Sequence, residues 1–64
     1  MIQNLSFEEK YLLIKKELHE FDEIQKTSIM RRYYIGYFLA DLVIQRLLAE
    51  NLIEPLTKSF KVIK

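Results

Sequence analysis

The spacing of apolar residues changes once along this chain, and the change limits the folds that the chain can adopt. Up to about Glu50 the apolar residues recur every three or four positions, which is typical of one buried face of a helix. After Leu52 the pattern shortens, and Phe60 to Ile63 read as a short strand. Because 64 residues enclose only one small core, we expect a single domain over residues 1–64 in which helices precede a short pair of strands.

The first helix has a clear start signal. Ser6 followed by Glu9 has the pattern of a capping box, in which each side chain bonds the backbone amide of the other residue. The apolar stripe that follows comprises Phe7, Tyr11, Ile14, Leu18 and Phe21. This spacing predicts a core-facing helix of about four turns. A coiled coil is the alternative, although two heptads are too few to establish one.

A second helix is predicted after a polar stretch that breaks the apolar pattern. Thr27 or Ser28 suits its N-cap, because a hydroxyl there accepts a bond from a free backbone amide. The short buried side of this helix comprises Ile29, Met30 and Tyr33. The only glycine, Gly36, follows directly and is expected to form a tight turn with a positive φ angle.

The third helix is predicted from about Tyr37 to Glu50, with Asn51 as its C-cap. Beyond it, Leu52-Ile53 reads as one short strand and Phe60 to Ile63 as a second, with a turn around Pro55 between them. Three helices followed by a two-stranded wing predict a mainly helical α+β fold, the winged helix-turn-helix.

Residues 27–55 resemble the gamma domain of FtsK-type DNA translocases, a winged helix that reads short oriented sequences in duplex DNA. The most specific matching element is Ile35-Gly36-Tyr37 at the turn between the second and third helices. The other matching residues are Thr27-Ser28, Arg31-Arg32, Ala40, Val43-Ile44, Leu47, Glu50, Leu52-Ile53 and Pro55. The resemblance implies a winged helix and an association with duplex DNA.

The chain departs from that family at the positions that face DNA. There the turn is followed by an Asn, an Arg and, three residues further on, another Arg. This chain has Phe38, Leu39 and Leu42 instead, and these side chains cannot hydrogen-bond a base edge. The usual major-groove contacts are therefore not expected from the third helix.

The third helix is apolar on two sides. At about 100° per residue, its core face comprises Ala40, Val43, Ile44 and Leu47. Phe38 and Leu42 lie on the opposite side, next to Gln45 and Arg46. Because a helix that is hydrophobic all round is normally buried, we expect something to cover this second face. The first helix, the wing or a protein partner could do so.

Charge is divided unevenly along the chain. Residues 1–25 carry three Lys against six acidic residues, a net −3, whereas residues 26–64 carry seven Lys or Arg against three acidic residues, a net +4. The residues expected to contact DNA are Lys26, Ser28, Arg31, Arg32, Tyr37, Lys58 and Lys61. A solvated helix face paired with acids is an equally good interpretation of the two arginines.

Two functions follow from these patterns. The first is a small DNA-binding or regulatory protein that contacts duplex DNA through the second helix, the third helix and the wing, as a homodimer. The alternative is a protein-protein interaction module, an adaptor or inhibitor, that uses the apolar face of the third helix. The expected partner or dimer interface comprises Phe38, Leu39, Leu42 and Arg46. A homodimer would also add buried surface to a very small domain.

Catalysis is not expected from this chain. It has no cysteine and a single histidine, His19, and it has no Gly-rich phosphate loop or nucleophile elbow. The carboxylates of Glu17, Glu20, Asp22 and Glu23 fit no metal-ligand spacing. We therefore expect no metal, cofactor or small-molecule substrate. Without a secretory signal or a membrane-length apolar segment, a cytoplasmic protein with no membrane partner is predicted.

Overall fold

The computed structural model describes residues 4–64, and within them the chain forms three helices and a small antiparallel sheet. The helices are α1 (Phe7–Glu17), α2 (Lys26–Tyr33) and α3 (Tyr37–Ala49), and α1 is extended by a single 3-10 turn, Leu18–Glu20. The strands are β1 (Glu23–Ile24), β2 (Ile53–Pro55) and β3 (Phe60–Val62). They pair in the order β1-β3-β2. The predicted α+β winged-helix architecture is confirmed.

Helix α1 begins as predicted. The Ser6 hydroxyl accepts a hydrogen bond from the Glu9 amide at 3.2 Å, and the Ser6 amide donates to Glu9 Oε1 at 3.0 Å. These bonds lower the pKa of Glu9. The helix ends earlier than expected, because the chain tightens into the 3-10 turn at Leu18 and becomes extended at Phe21. Leu18 is nevertheless buried, so the apolar stripe still packs into the core.

Strand β1 was not predicted. No element was predicted for the polar stretch before the second helix, but Glu23 and Ile24 pair with Lys61 and Phe60 of β3. Two residues are too few to show the alternation by which strands are recognised, and only the buried side chain of Ile24 marks this strand. The wing is therefore a three-stranded sheet with β3 at its centre, rather than the predicted two strands.

The turn between α2 and α3 corrects two predictions. Helix α2 begins at Lys26 with Gln25 as its N-cap, so neither Thr27 nor Ser28 has that position. The positive φ angle belongs to Tyr34 (54°), which terminates α2, whereas Gly36 has an ordinary φ of −77°. Because the backbone turns two residues before the glycine, the buried Ile35 reaches the core and Gly36 becomes the extended residue that precedes α3.

Helix α3 ends one residue earlier than predicted: its last residue is Ala49, and Glu50 rather than Asn51 is the C-cap. Asn51 follows the cap in the left-handed conformation, with φ of 61°. The Leu52 amide donates to the Leu47 carbonyl at 3.0 Å, which satisfies one of the carbonyls left free at a helix end. The chain changes direction at this bond, and β2 begins at the next residue, Ile53.

The core lies between the three helices and the inner side of the sheet. All four predicted core residues of α3 are buried: Ala40, Val43, Ile44 and Leu47. Tyr11 and Tyr33 fill the space between α1, α2 and α3, and Ile53 and Val62 close it from the sheet. Over residues 4–64, the longest apolar helix falls short of what a membrane crossing needs.

Candidate functional site

The outward side of α3 exposes large apolar side chains at its N-terminal half. Tyr37 is 65% exposed, Phe38 72% and Leu39 36%, and Leu42 is half-buried. These four residues are called the α3 face below. Phe38 and Leu42 are four residues apart and therefore lie above one another at its centre, with Tyr37 and Leu39 on either side. Single exposed apolar side chains are common on proteins, but a contiguous group marks an interaction site.

Helix α1 contacts the C-terminal half of the same side at Arg46. Arg46 Nη1 lies 2.9 Å from Glu8 Oε2, and the guanidinium stacks 3.9 Å from the centre of the Tyr11 ring. The hydrogen bond to Glu8 raises the pKa of Arg46 further. The first helix therefore reaches this side at Arg46 but does not provide the expected cover over Phe38 and Leu39, which are exposed. Arg46 itself is held within the chain, at the boundary of the α3 face.

One edge of the α3 face is an ion pair with the first turn of α2. Lys26 Nζ lies 2.9 Å from Asp41 Oδ1, donates to Tyr37 Oη at 3.2 Å and sits 4.2 Å from the Tyr37 ring centre. The same contact lowers the pKa of Asp41 and raises that of Lys26. The structure thus brings together Lys26 and Tyr37, two residues predicted to bind DNA. It also gives the cation a carboxylate partner, so this edge is electrically neutral.

Tyr34 extends the exposed aromatic surface beside the α3 face. It is 60% exposed although its backbone is in the left-handed region, a conformation that costs a bulky residue about 1–2 kcal/mol. Its carbonyl accepts a hydrogen bond from Lys10 Nζ at 2.8 Å, and Lys10 is almost fully buried. The Lys10 ammonium of α1 therefore holds the backbone of the turn at Tyr34. Nothing in the local sequence signals either role.

The predicted phosphate-contacting residues of α2 lie on one stripe of that helix. Arg31 and Arg32 lie three and four residues after Ser28, and all three residues are exposed. Arg32 leans toward α1, where its Nη2 lies 3.7 Å from Glu17 Oε1 and its guanidinium lies 5.1 Å from the Phe21 ring centre. Among the ion pairs that the structure shows for residues 4–64, none involves Arg31.

The cations of the wing are offset by neighbouring acids. Lys61 occupies the middle strand, directly between Glu23 on β1 and Glu54 on β2. Lys64 Nζ lies 2.7 Å from Asp22 Oδ1 and lowers the pKa of that carboxyl. Lys58 is exposed in the turn that joins β2 to β3. Of the predicted DNA-contacting cations, only Arg31 and Lys58 therefore project from the described surface without an adjacent acid.

The described residues offer little to a metal ion or to a substrate. In residues 4–64 no three His, Asp or Glu side chains come close enough together to form a metal site. A crevice of about 50 Å³ opens between α1, β1 and α2, lined mainly by apolar side chains with Ser28 and Arg32 among its walls. Wider depressions of about 460 and 320 Å³ on either side of the C-terminal residues are open to solvent.

Comparison with known proteins adds no relative to this description. No protein-family model, no curated protein and no solved structure matches the chain.

Proposed function

We propose that this chain is a protein-protein interaction module, an adaptor or inhibitor that docks through the α3 face. The observation that carries the proposal is the exposure of Tyr37, Phe38 and Leu39 on the helix that a winged-helix DNA reader inserts into the major groove. Aromatic residues are enriched at protein interfaces, where their large apolar surface is removed from water. The occupant that suits this surface is a protein face that is itself uncharged and apolar.

The charges around the α3 face support the same choice. Base readout needs hydrogen-bonding side chains, and the exposed centre of the α3 face has none. At its edges, Lys26 is paired with Asp41 and Arg46 is paired with Glu8. A polyanion would gain no free cation here and would meet the Asp41 carboxylate. An uncharged protein surface would leave both ion pairs intact.

The test compares two matched variants in partner capture. Phe38→Ser removes an exposed aromatic from the α3 face, and Leu12→Ser removes a similarly exposed apolar residue from α1. We expect a protein retained by the wild-type chain and by Leu12→Ser to be lost with Phe38→Ser. Purified and titrated by calorimetry, that protein should bind with a negative heat-capacity change, which marks apolar burial. Identical retention by both variants would rule out the α3 face as the docking site.

DNA binding is the second candidate, and one observation favours it. Ser28 and Arg31 share the exposed stripe of α2, and the first turn of α2 adjoins Tyr37 through Lys26. Hydroxyl groups, arginines and free helix amides in one place suit phosphate oxygens. Binding of this kind would hold the duplex backbone without reading bases. The resemblance to the FtsK gamma domain belongs to this candidate and stays a prediction.

A salt titration separates the two candidates. Random duplex DNA is titrated with the wild-type chain, with Arg31→Gln and with Phe38→Ser at low and moderate salt. A docking module gives no binding at low salt in any of the three. Phosphate contacts instead give an affinity that falls steeply with salt and that Arg31→Gln weakens, because each contact releases counterions. Salt-dependent binding weakened by Arg31→Gln but not by Phe38→Ser would favour the DNA candidate.

A further inference from the structure

We infer that the α3 face pairs with the same face of a second copy of this chain, giving a weak homodimer related by a two-fold axis. This inference rests on the proposed docking function and names its first partner. It commits to an isologous contact, in which Phe38 and Leu42 of one protomer lie against the same residues of its partner.

The amount of exposed apolar surface fits a weak dimer. An aromatic side chain contributes about 150–250 Å² when fully buried, so Tyr37 and Phe38 at 65% and 72% exposure offer roughly 300 Å² between them. Leu39 and Leu42 bring the face to about 400 Å², and two such faces bury about 800 Å² together. That area lies below the range of stable complexes and within that of weak, transient ones.

The charges of the face suit a copy of itself better than a charged partner. Lys26 and Asp41 form a neutral pair at one edge, and Arg46 and Glu8 form another at the opposite edge. A two-fold contact therefore brings together two neutral surfaces. The chain as a whole carries a net charge of only +1, so two copies repel each other little.

The shape of the face also suits a two-fold contact. Phe38 and Leu42 are stacked one turn apart along a single helix, with Phe38 prominent and Leu42 half-buried behind it. When two such helices cross antiparallel, the ring of each protomer lies beside the leucine of its partner. The two-fold axis then passes midway between Phe38 and Leu42, at the level of Leu39. A residue near a two-fold axis lies close to its own copy, so the two Leu39 side chains make this geometry directly testable.

Because the chain has no cysteine, a single introduced thiol reports on this contact alone. Under mild oxidation, Leu39→Cys, which keeps Phe38 and Leu42 in place, should yield a disulfide-linked dimer at micromolar protein, whereas Leu12→Cys on α1 should stay monomeric under identical conditions. Leu39 is 36% exposed and Leu12 is 61% exposed, so greater thiol accessibility does not explain more cross-linking at position 39. Equal cross-linking of the two variants would overturn the two-fold contact.

Sedimentation equilibrium tests the non-covalent dimer. The wild-type mass should rise with concentration from 7.8 kDa toward twice that value. Phe38→Ser with Leu42→Ser should raise the dimer dissociation constant at least tenfold, with far-UV circular dichroism showing that the variant stays folded. A single-protomer mass at every concentration, or a dimer that the double substitution leaves intact, overturns the self-pairing. A monomeric wild type that still loses a captured protein through Phe38→Ser leaves the docking function standing and removes only its assigned partner.

Discussion

Lys26 illustrates how a through-space contact changes the role of a residue. In the sequence it is a cation near the start of a helix and suits a phosphate. In the structure its ammonium is paired with Asp41 and rests on the Tyr37 ring, so it closes one edge of an apolar surface. Arg46, predicted as part of a partner or dimer interface, is held in place by Glu8 and Tyr11 of another helix. Both residues therefore lie in ion pairs at the edges of the α3 face and do not form a basic surface.

Two buried tyrosines give a prediction at the same scale. Burial raises the pKa of Tyr11 to about 12, helped by its hydrogen bond to Glu50, and burial together with a hydrogen bond to Glu17 does the same for Tyr33. An unfolded tyrosine ionises near pH 10. The folded state therefore holds the neutral phenols, and the stability that they contribute is complete below about pH 10 and is lost as the pH rises toward 12.

We expect the free energy of unfolding to fall between pH 10 and about 12, by roughly 1–2 kcal/mol for each tyrosine. The measurement is urea denaturation at pH 9, 10 and 11, with phenolate absorbance at 295 nm recorded in parallel. Tyr11→Phe with Tyr33→Phe should flatten this dependence, and the exposed-site control Tyr34→Phe should not. Ionisation of both buried tyrosines near pH 10 in the folded protein would contradict it.

At the scale of elements, the turn between α2 and α3 contains the expected positive φ angle, but at a different residue from the one predicted. Glycine was expected to carry the positive φ angle, but Tyr34 carries it, and Gly36 has open space around the position of a Cβ atom. Lys10 holds the Tyr34 carbonyl from α1, which stabilises the turn in this position.

In this turn, we expect glycine to stabilise the protein at position 34 and to be replaceable by alanine at position 36. Tyr34→Gly should be more stable than Tyr34→Ala by about 1 kcal/mol, because only glycine adopts the left-handed conformation without strain. Gly36→Ala should change stability by less than about 0.5 kcal/mol, since its φ angle is ordinary and a Cβ meets no neighbour within 4 Å. Urea midpoints of the three variants provide the measurement. A loss at Gly36→Ala larger than that at Tyr34→Ala would refute this description of the turn.

At the scale of the whole molecule, the stability of the domain depends on its small core and on the pairing of its surface charges. A 64-residue domain has a limited core, and this one has no disulfide to add stability. Acids of α1 and of the segment that follows it neutralise basic residues elsewhere, as in the pairs of Glu8 with Arg46 and of Asp22 with Lys64. The uneven charge along the chain therefore largely cancels in three dimensions. The proposed association through the α3 face would add buried apolar surface to this small core.

That association gives a prediction for the intact molecule. If folding is coupled to pairing of the α3 faces, the melting temperature rises with protein concentration, because the dimer is favoured by mass action. Calorimetric scans over a hundredfold range of concentration should show this increase for the wild type and for Leu12→Ser. Phe38→Ser should melt at one temperature throughout. A wild-type melting temperature that does not change with concentration would argue against coupled pairing.

The sequence by itself determined what depends on neighbours along the chain. The capping box of α1, the core face of α3, the left-handed Asn51 and the winged-helix order of elements all follow from spacing and local hydrogen bonding. It also identified Phe38, Leu39 and Leu42 as a surplus of apolar side chains. Each of these features is a matter of periodicity or of contacts within one turn.

Only the tertiary structure decided which side chains are free. Strand β1 exists because β3 offers it partners, and Tyr34 holds its left-handed turn with a bond from α1. Lys26 and Arg46 are neutralised by acids 15 and 38 residues away in the chain, at Asp41 and Glu8. Such pairs depend on the packing of whole elements, which no local pattern encodes. That packing leaves α3 with an exposed apolar face whose edges are neutral ion pairs.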